Sequence, residues 1–480
     1  MPFAVYACSI SSAPAYWDTG EAQTVPWIFG IMHPTGFPVY TIFAGIFEHV
    51  FPFGTVAWRA GLFCALAMST AAWFVARCVR ELDGDWWAAC GSAWLFAFGW
   101  VAWTRGTRAE VHALAVCFAV AALFFALRYL REPRTDTLFY GMLAFALGAA
   151  THPVVALLAP ALLIVLTERL RSFTPRAIAI AVAAVAIGMA FYAYLPLRSA
   201  QITAAHADPT RTIGLPPGRA FWDNNHPSSR GGFLREINGS EYGAGGALAR
   251  ITRIETYRDG IPGYLDTLLD ELTPVGVLLA IGGFGVLWRR DDATAVILLA
   301  AFAVPTAFSL AYTIEADPRR YQLIGFAIVC ICAGCGLAPF LRALRAPGFV
   351  RIACSLALGV ILAIVNRGTF DQRTYDGAQA VITGVLQKTP DDAILISPWI
   401  DATPLAYAAY VEHRLGGRVV DSAWLSEDAR RVPKWTKTRP VYVVGPLFGE
   451  VTGFWTQRIH RDPDIYRLTP LPAQSRLPSP

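Results

Sequence analysis

The chain has 480 residues, of which 55% are apolar and only 16% are charged, whereas soluble domains carry roughly 25% charged residues. So few charges exclude an ordinary soluble enzyme of this size and a disordered protein. The net charge of +5 is no argument for nucleic acid binding, because arginines beside apolar segments explain most of the excess. The composition therefore predicts a polytopic α-helical membrane protein embedded in a lipid bilayer.

Eleven apolar segments precede residue 367, and several approach the ~20 residues with which a helix crosses a bilayer. They cover residues 1–16, 56–77, 86–103, 111–130, 137–150, 153–167, 177–197, 274–288, 293–312, 321–340 and 351–366. The first is short and has no basic start, which a start site placed too late would explain. His152-Pro153 separates two short segments, which could form a hairpin or one broken helix. We therefore predict about 11 transmembrane helices within residues 1–367.

Arginines follow every second segment, and the positive-inside rule places such loops in the cytoplasm. These arginines are Arg77, Arg80, Arg128, Arg131, Arg134, Arg169, Arg171, Arg176, Arg289, Arg290, Arg342, Arg345 and Arg351. The remaining loops then face outward, including a first outer loop at 17–55 and a large one at 198–273. The pattern predicts a multi-pass membrane protein with these loops on the extracytoplasmic side.

Residues 368–480 differ in character from the apolar part. Strand-like segments at 393–397, 418–420 and 440–444 alternate with helix-like segments at 403–415 and 425–432. Such alternation is typical of an α/β domain. We therefore expect a small soluble α/β domain on the extracytoplasmic side.

Ionisable groups near membrane depth are costly and often mark function. The topology collects them on the outer face. They are Asp18, Glu21, His33, Arg105, Arg108, Glu110, His112, His152, Arg198, Asp317, Arg319, Arg320 and Tyr321. The sequence therefore predicts one outward-facing polar site.

The residue types within this set indicate a chemistry. Asp18 and Glu21 suit general-base work, in which one carboxylate accepts a proton and the other orients or tunes it. Interfacial anchoring and helix capping are the alternative explanation. The arginines suit a phosphate group, and headgroup contact is the alternative for Arg105, Arg108 and Arg198.

Metal binding has weaker support in the sequence. His33, Glu110, His112 and His152 show no metal-ligand spacing. Cys330, Cys332 and Cys335 lie within an apolar run, where small core residues are expected. A divalent ion on Asp18 and Glu21 stays open as an alternative.

The motifs resemble those of a known family. Trp17-Asp-Thr-Gly-Glu21, followed by His33-Pro-Thr-Gly36 with Pro38 and Tyr40, resembles the opening of the protein O-mannosyltransferase-like membrane family of bacteria, formerly a domain of unknown function. Further matches are Arg108-Ala-Glu-Val111, Thr151-His-Pro153, Tyr194-Leu-Pro-Leu-Arg198, Asn238–Tyr242, Asp317-Pro-Arg-Arg-Tyr321 and Pro390–Leu395. The sequence departs from the family at Thr35, where proline is usual, and at His112, where an aromatic residue is usual.

This family is similar to the GT-C glycosyltransferases. The resemblance implies a GT-C-like fold, a polyprenyl-phosphate-linked sugar as donor, and an acidic base in the first outer loop at Asp18, accompanied by Glu21. It implies inverting transfer of a sugar, with mannose as one candidate, to a hydroxyl of a protein or glycan acceptor. His33, Arg105, Arg108, Glu110, His152, Arg198, Asp317, Arg319 and Tyr321 would bind substrate or phosphate, with Arg198 favoured for the departing lipid phosphate. The resemblance also implies a place in the bacterial cytoplasmic (inner) membrane, with the active site on the periplasmic or extracellular side. A flippase or transporter of lipid-linked glycans and a non-catalytic scaffold for envelope assembly are the alternatives.

Overall fold

A computed structural model describes residues 1–83, 85–172, 174–239, 244–312, 318–345 and 347–471. The chain falls into two compact units. The first unit comprises Met1–Ile10, Gly61–Tyr192 and Gly239–Gln372. The second unit comprises Ser11–Ala60, Ala193–Asn238 and the chain from Arg373 onward.

Helices account for most of the described chain up to residue 370. They are α1 (Pro2–Ala7), α2 (Trp17–Ile28), α3 (Pro38–Val50), α4 (Val56–Leu82), α5 (Trp86–Phe98), α6 (Trp100–Thr107), α7 (Val111–Arg131), α8 (Thr135–Thr151), α9 (Ala159–Glu168), α10 (Pro175–Met189), α11 (Tyr194–Ala204), α12 (Arg230–Asn238), α13 (Ala244–Arg250), α14 (Ile254–Arg290), α15 (Asp292–Ala311), α16 (Leu323–Ala343) and α17 (Gly348–Phe370). Short 3-10 turns lie at Pro153–Leu158, Leu170–Ser172, Ala190–Ala193, Pro209–Ile213 and Pro318–Gln322.

Seven helical stretches of the described chain are long and apolar enough to cross a membrane. They are Val56–Leu82, Val111–Arg131, Pro175–Ala204, Ile254–Arg290, Asp292–Ala311, Pro318–Ala343 and Gly348–Phe370. These helices make the chain a polytopic helical membrane protein, as predicted. The count of about 11 spans stays a prediction.

The predicted first span at 1–16 contains only the six-residue helix α1, which is too short to cross a bilayer. The predicted span at 86–103 is interrupted at Gly99, where α5 ends and α6 begins. A Cβ atom at Gly99 would lie 2.3 Å from Oε1 of Glu271, so this carboxylate occupies the space beside the break. The two short predicted spans are separated at His152, whose Nδ1 accepts a hydrogen bond of 3.1 Å from the amide of Val154.

The arginine-rich ends of the predicted spans meet within the first unit. Asp83, just after α4, accepts hydrogen bonds of 3.2 Å from Arg290, the last residue of α14, and from Arg342, in the last turn of α16. Arg131 donates to the carbonyl of Leu82 at 3.2 Å. These helix ends therefore lie on one side, in agreement with the alternation of basic loops.

The cysteines Cys330, Cys332 and Cys335 are buried in α16 and form no disulfide. Small side chains let neighbouring helices pack closely, and the burial of these three confirms the prediction of core cysteines.

The chain after residue 370 contains a five-stranded sheet, β1 (Ile394–Ser397), β2 (Val419–Ser422), β3 (Val441–Val444), β4 (Phe454–Arg461) and β5 (Asp464–Pro470). The strand order is β2-β1-β3-β5-β4. The first three strands are parallel, and β5 runs antiparallel to both β3 and β4. The helices are α18 (Gln379–Lys388), α19 (Trp399–Tyr410), α20 (Leu425–Asp428) and α21 (Val432–Trp435). The pattern of alternating segments located β1 to β3, but it did not indicate the β4–β5 hairpin.

Candidate active site

The first functional segment begins at the start of α2. Trp17 has a φ of 56°, a left-handed conformation that is strained for a bulky residue and that often accompanies a functional site. Asp18 follows directly and is half-buried. Its Oδ1 accepts a hydrogen bond of 3.1 Å from the indole Nε1 of Trp399, at the start of α19. The part of the chain after residue 370 thus holds the acidic side chain that the sequence analysis proposed as the base.

Glu21 and His33 form a tightly bonded pair one turn further along. The Glu21 side chain is fully buried, and its Oε1 accepts a hydrogen bond of 2.7 Å from the His33 amide. Its Oε2 contacts Nδ1 of His33. Burial raises the pKa of Glu21, and the contacts with His33 oppose that shift. Because both carboxylate oxygens are engaged by His33, Glu21 orients the histidine rather than pairing with Asp18.

Arg198 and Tyr194 hold the other end of α2. Arg198 donates from Nε to the carbonyl of Phe29 at 2.5 Å and from Nη2 to that of Ile28 at 3.0 Å. The Tyr194 hydroxyl donates to the same Phe29 carbonyl at 2.7 Å. A cation at a helix C-terminus satisfies free carbonyl groups and the helix dipole. These bonds give Arg198 a capping role, and its predicted phosphate role stays a prediction.

A second group of predicted residues lies in the first unit, around the buried carboxylate of Glu110. Its Oε2 is 3.1 Å from Nη1 of Arg105 and 3.8 Å from Nη1 of Arg320. Its Oε1 is 2.8 Å from Nδ1 of His112. Burial alone would raise the pKa of Glu110, but the bond to His112 and the two guanidinium groups outweigh it and hold the pKa well below its usual range. Two guanidinium groups from different elements therefore lie side by side.

Aromatic rings extend this second group. The rings of His112 and His152 are 4.3 Å apart, and that of Tyr321 is 5.1 Å from His112. Arg319 lies over the Trp100 ring at 4.7 Å. Arg108 is exposed at the end of α6, and Asp317 lies outside the described residues. The structure therefore brings Arg105, Glu110, His152 and Tyr321 together.

Glu271 is a member of the first unit that the sequence analysis missed. It is fully buried, and its carboxylate accepts hydrogen bonds from the amides of Val101 at 2.6 Å and Ala102 at 3.3 Å. These amides begin α6, the helix that carries Arg105. Its acidic side chain lies three residues before the apolar segment at 274–288, and this position could have marked Glu271 as a candidate in the sequence.

Trp399 is the residue of the second unit that the sequence analysis missed. It follows the strand-like segment 393–397 by two residues, and residues after strand ends often line sites. Its partner is nearly four hundred residues away, so no local pattern could connect the two.

Asp18, Glu21, His33 and Arg198 belong to the second unit, and Arg105, Glu110, His152, Arg319 and Tyr321 belong to the first. A single site containing both groups stays a prediction. Among the residues that the structure describes, no three His, Cys, Asp or Glu side chains are placed to hold a metal ion. The engagement of both Glu21 oxygens also leaves the Asp18–Glu21 pair a poor fit for a shared ion.

The sequence of the chain is similar to that of a known protein family from Asp18 onward. Residues 18–174 match the model of the protein O-mannosyl-transferase TMEM260 N-terminal domain, so the match begins at Asp18. The chain is 24% identical over 435 residues to the protein O-mannosyl-transferase TMEM260 of Mus musculus, covering 85% of this chain and 59% of that protein. It is 30% identical over 116 residues to the protein of the same name from Dictyostelium discoideum, covering 24% of this chain and 14% of that one. The chain thus spans less than two thirds of the length of these relatives.

Solved structures of similar fold cover almost the whole chain. The crystal structure of ArnT from Cupriavidus metallidurans bound to undecaprenyl phosphate has a TM-score of 0.58 at 12% identity, covering 97% of this chain and 96% of that one. Its apo state has a TM-score of 0.55 with nearly the same coverage. The predicted resemblance to the protein O-mannosyltransferase-like family is therefore confirmed, and the chain shares the fold of ArnT.

Proposed function

We propose that this chain is a membrane glycosyltransferase that moves a sugar from a polyprenyl-phosphate-linked donor to a hydroxyl of an acceptor. Two observations from relatives support the proposal. Proteins named protein O-mannosyl-transferase share the segment that begins at Asp18. A protein of the same fold has been crystallised with undecaprenyl phosphate. Mannose and a protein acceptor are therefore the first substrates to test.

The observation that carries the proposal is the setting of Asp18. It lies half-buried in the first turn of α2, directly after the strained Trp17, with one oxygen held by Trp399 and with the Glu21–His33 pair one helical turn away. A carboxylate held in this way suits a general base. Asp18 takes the proton from the acceptor hydroxyl while the hydroxyl oxygen attacks the anomeric carbon of the donor sugar. The bond from that carbon to the phosphate oxygen breaks, the configuration inverts, and polyprenyl phosphate leaves.

We further propose that the arginines around Glu110, within the first unit, bind a phosphate of the donor. Arg105 and Arg320 present two neighbouring guanidinium groups, which offer planar donor sets matched to phosphate oxygens. Such groups stabilise the negative charge that grows on the leaving phosphate. Arg198 caps the end of α2, and its predicted phosphate role stays a prediction.

The location is part of the same proposal. The basic helix ends that meet at Asp83 would face the cytoplasm, by the positive-inside rule. Asp18 and the C-terminal domain would then lie on the periplasmic or extracellular side of a bacterial inner membrane, where the acceptor is met. The C-terminal domain would help to present that acceptor.

The experiment uses the purified protein in proteoliposomes with polyprenyl-phosphate mannose and a mixture of envelope proteins. We expect one polyprenyl phosphate released for each mannose transferred, and a product with the opposite anomeric configuration. A flippase would move the donor across the bilayer and leave it intact. A scaffold would do neither, and either result would overturn the proposal.

A further inference from the structure

Helices α2 and α19 pack against each other along one face of each helix. Trp399 and Thr403 are four residues apart on α19, so they lie on the same side. Trp399 bonds to Asp18, and Thr403 lies against Gly20. A Cβ atom at residue 20 would lie 2.9 Å from the Thr403 side chain and 2.2 Å from the carbonyl oxygen of Ala15. Two independent contacts therefore fix the distance between the helices at the position of Asp18.

The indole ring of Trp399 is itself held in place. It stacks on the ring of Phe221, with centroids 5.4 Å apart and planes inclined by 8°. The His33 ring lies nearly perpendicular to it, with the two ring centroids 6.0 Å apart. Phe221 is buried and adopts a left-handed φ of 74° to present its ring. The direction of the indole N–H is therefore determined by its neighbours.

The position of Trp399 relative to the sheet also supports a role in the site. It follows the carboxyl end of β1, and β1 lies between its parallel neighbours β2 and β3. In open α/β sheets, the crevice at the carboxyl ends beside such a central strand is the usual place for a ligand. The first outer loop brings Asp18 to this place.

We infer that Trp399 is a positioning residue for Asp18, so that the C-terminal domain completes the active site rather than only presenting the acceptor. This inference rests on the proposed function. The indole N–H fixes Oδ1 and thereby the direction of the carboxylate toward the acceptor hydroxyl. It also stabilises the charged form of Asp18, which a general base needs before it accepts a proton.

The test compares Trp399→Phe with wild type in the sugar transfer assay. Phenylalanine keeps a ring against Phe221 and lacks the N–H. We expect kcat to fall about tenfold, as for the loss of a hydrogen bond to a charged group. The acceptor KM should stay within about twofold, and the acid limb of the kcat/KM profile should move up by about one pH unit. Trp424→Phe, at the same end of the sheet and without contact to Asp18, is the matched control and should behave as wild type.

A second variant covers the case in which phenylalanine disturbs folding. Trp399→benzothienylalanine keeps the bicyclic shape and lacks only the N–H, and it should show the same pH shift. A packing role alone would lower Tm and leave the pH profile unchanged, which would overturn the inference. If Trp399→Phe matches Trp424→Phe while Asp18→Asn is inactive, the inference fails and the proposed function stands. If wild type transfers no sugar, both fail.

Discussion

Glu21 binds His33 through both the main chain and the ring, although the two residues are twelve positions apart. The amide of His33 donates to Oε1 at 2.7 Å and Nδ1 contacts Oε2. A buried carboxylate that bonds Nδ1 fixes the tautomer and the orientation of an imidazole. The buried Glu21 carboxylate therefore fixes the orientation of the His33 ring, and the two residues form one hydrogen-bonded group beside Asp18.

The Glu21–His33 pair yields the first prediction. Glu21→Gln places an amide N–H or a weaker acceptor against Nδ1, so the histidine loses its fixed orientation. We expect kcat for sugar transfer to fall at least tenfold, the lower end for a disturbed proton-transfer group. His33→Asn should lower kcat by a similar factor. The double variant should be no worse than either single variant, because residues that act as a unit are not additive.

The measurement is the kcat of the three variants under saturating donor, with Tm as a check of folding. Losses that multiply in the double variant would show that the two residues act separately.

The second prediction concerns the pH dependence of stability. Burial raises the pKa of Asp401 from 3.8 to about 6. The folded protein therefore holds this proton more tightly than the unfolded chain does. The contribution of Asp401 to stability is present in full below about pH 4 and is lost as the pH rises to about 6. Asp401→Asn should thus stabilise the protein at pH 7.5, by roughly 1–3 kcal/mol, and change it little near pH 4.

Thermal unfolding in detergent at the two pH values checks this prediction. Asp392→Asn, which replaces an exposed carboxylate in the same domain, should change Tm at neither pH. An Asp401→Asn variant that is less stable than wild type at pH 7.5 would show that the ionised carboxylate has a favourable partner.

The third prediction tests the link from Glu271 to Arg105. Glu271→Ala removes both acceptors from the first amides of α6, at a cost of roughly 1–3 kcal/mol. A loosened α6 displaces Arg105 from its place beside Glu110. We expect the KM for the lipid-linked donor to rise about fivefold, which corresponds to about 1 kcal/mol.

Donor titrations at fixed acceptor concentration measure this effect. The neighbouring exposed residue provides the control, since Asp270→Ala removes a carboxylate and leaves α6 intact. An unchanged donor KM in a folded Glu271→Ala protein would contradict the prediction, because it would show that Glu271 does not affect donor binding through α6.

Sequence patterns predicted the parts of the fold that depend on local physics. Apolar length and arginine spacing indicated the membrane helices, and the meeting of Arg290 and Arg342 at Asp83 agrees with the alternation. The strand-like segments located β1 to β3 within a residue or two. These features depend on the cost of placing polar groups in hydrocarbon and on side-chain periodicity, and both can be read from neighbouring residues.

Contacts between distant segments could not be predicted in this way. The bond from Trp399 to Asp18 and the capping of α6 by Glu271 each join parts of the chain more than 150 residues apart. The predicted topology groups Arg198 with the outer-face arginines that suit a phosphate, and that role stays a prediction. Its bonds to Ile28 and Phe29 depend on the packing of α11 against α2, which no single segment encodes.

The central claim is that Asp18 acts as the base for sugar transfer. The most direct measurement is single-turnover transfer of labelled mannose from polyprenyl-phosphate mannose in proteoliposomes by wild type, Asp18→Asn and the control Asp392→Asn. We predict that Asp18→Asn loses at least a hundredfold in rate, within the range for a general base, while its Tm and donor binding stay near those of wild type. Transfer by a folded Asp18→Asn protein at the rate of Asp392→Asn would contradict the claim.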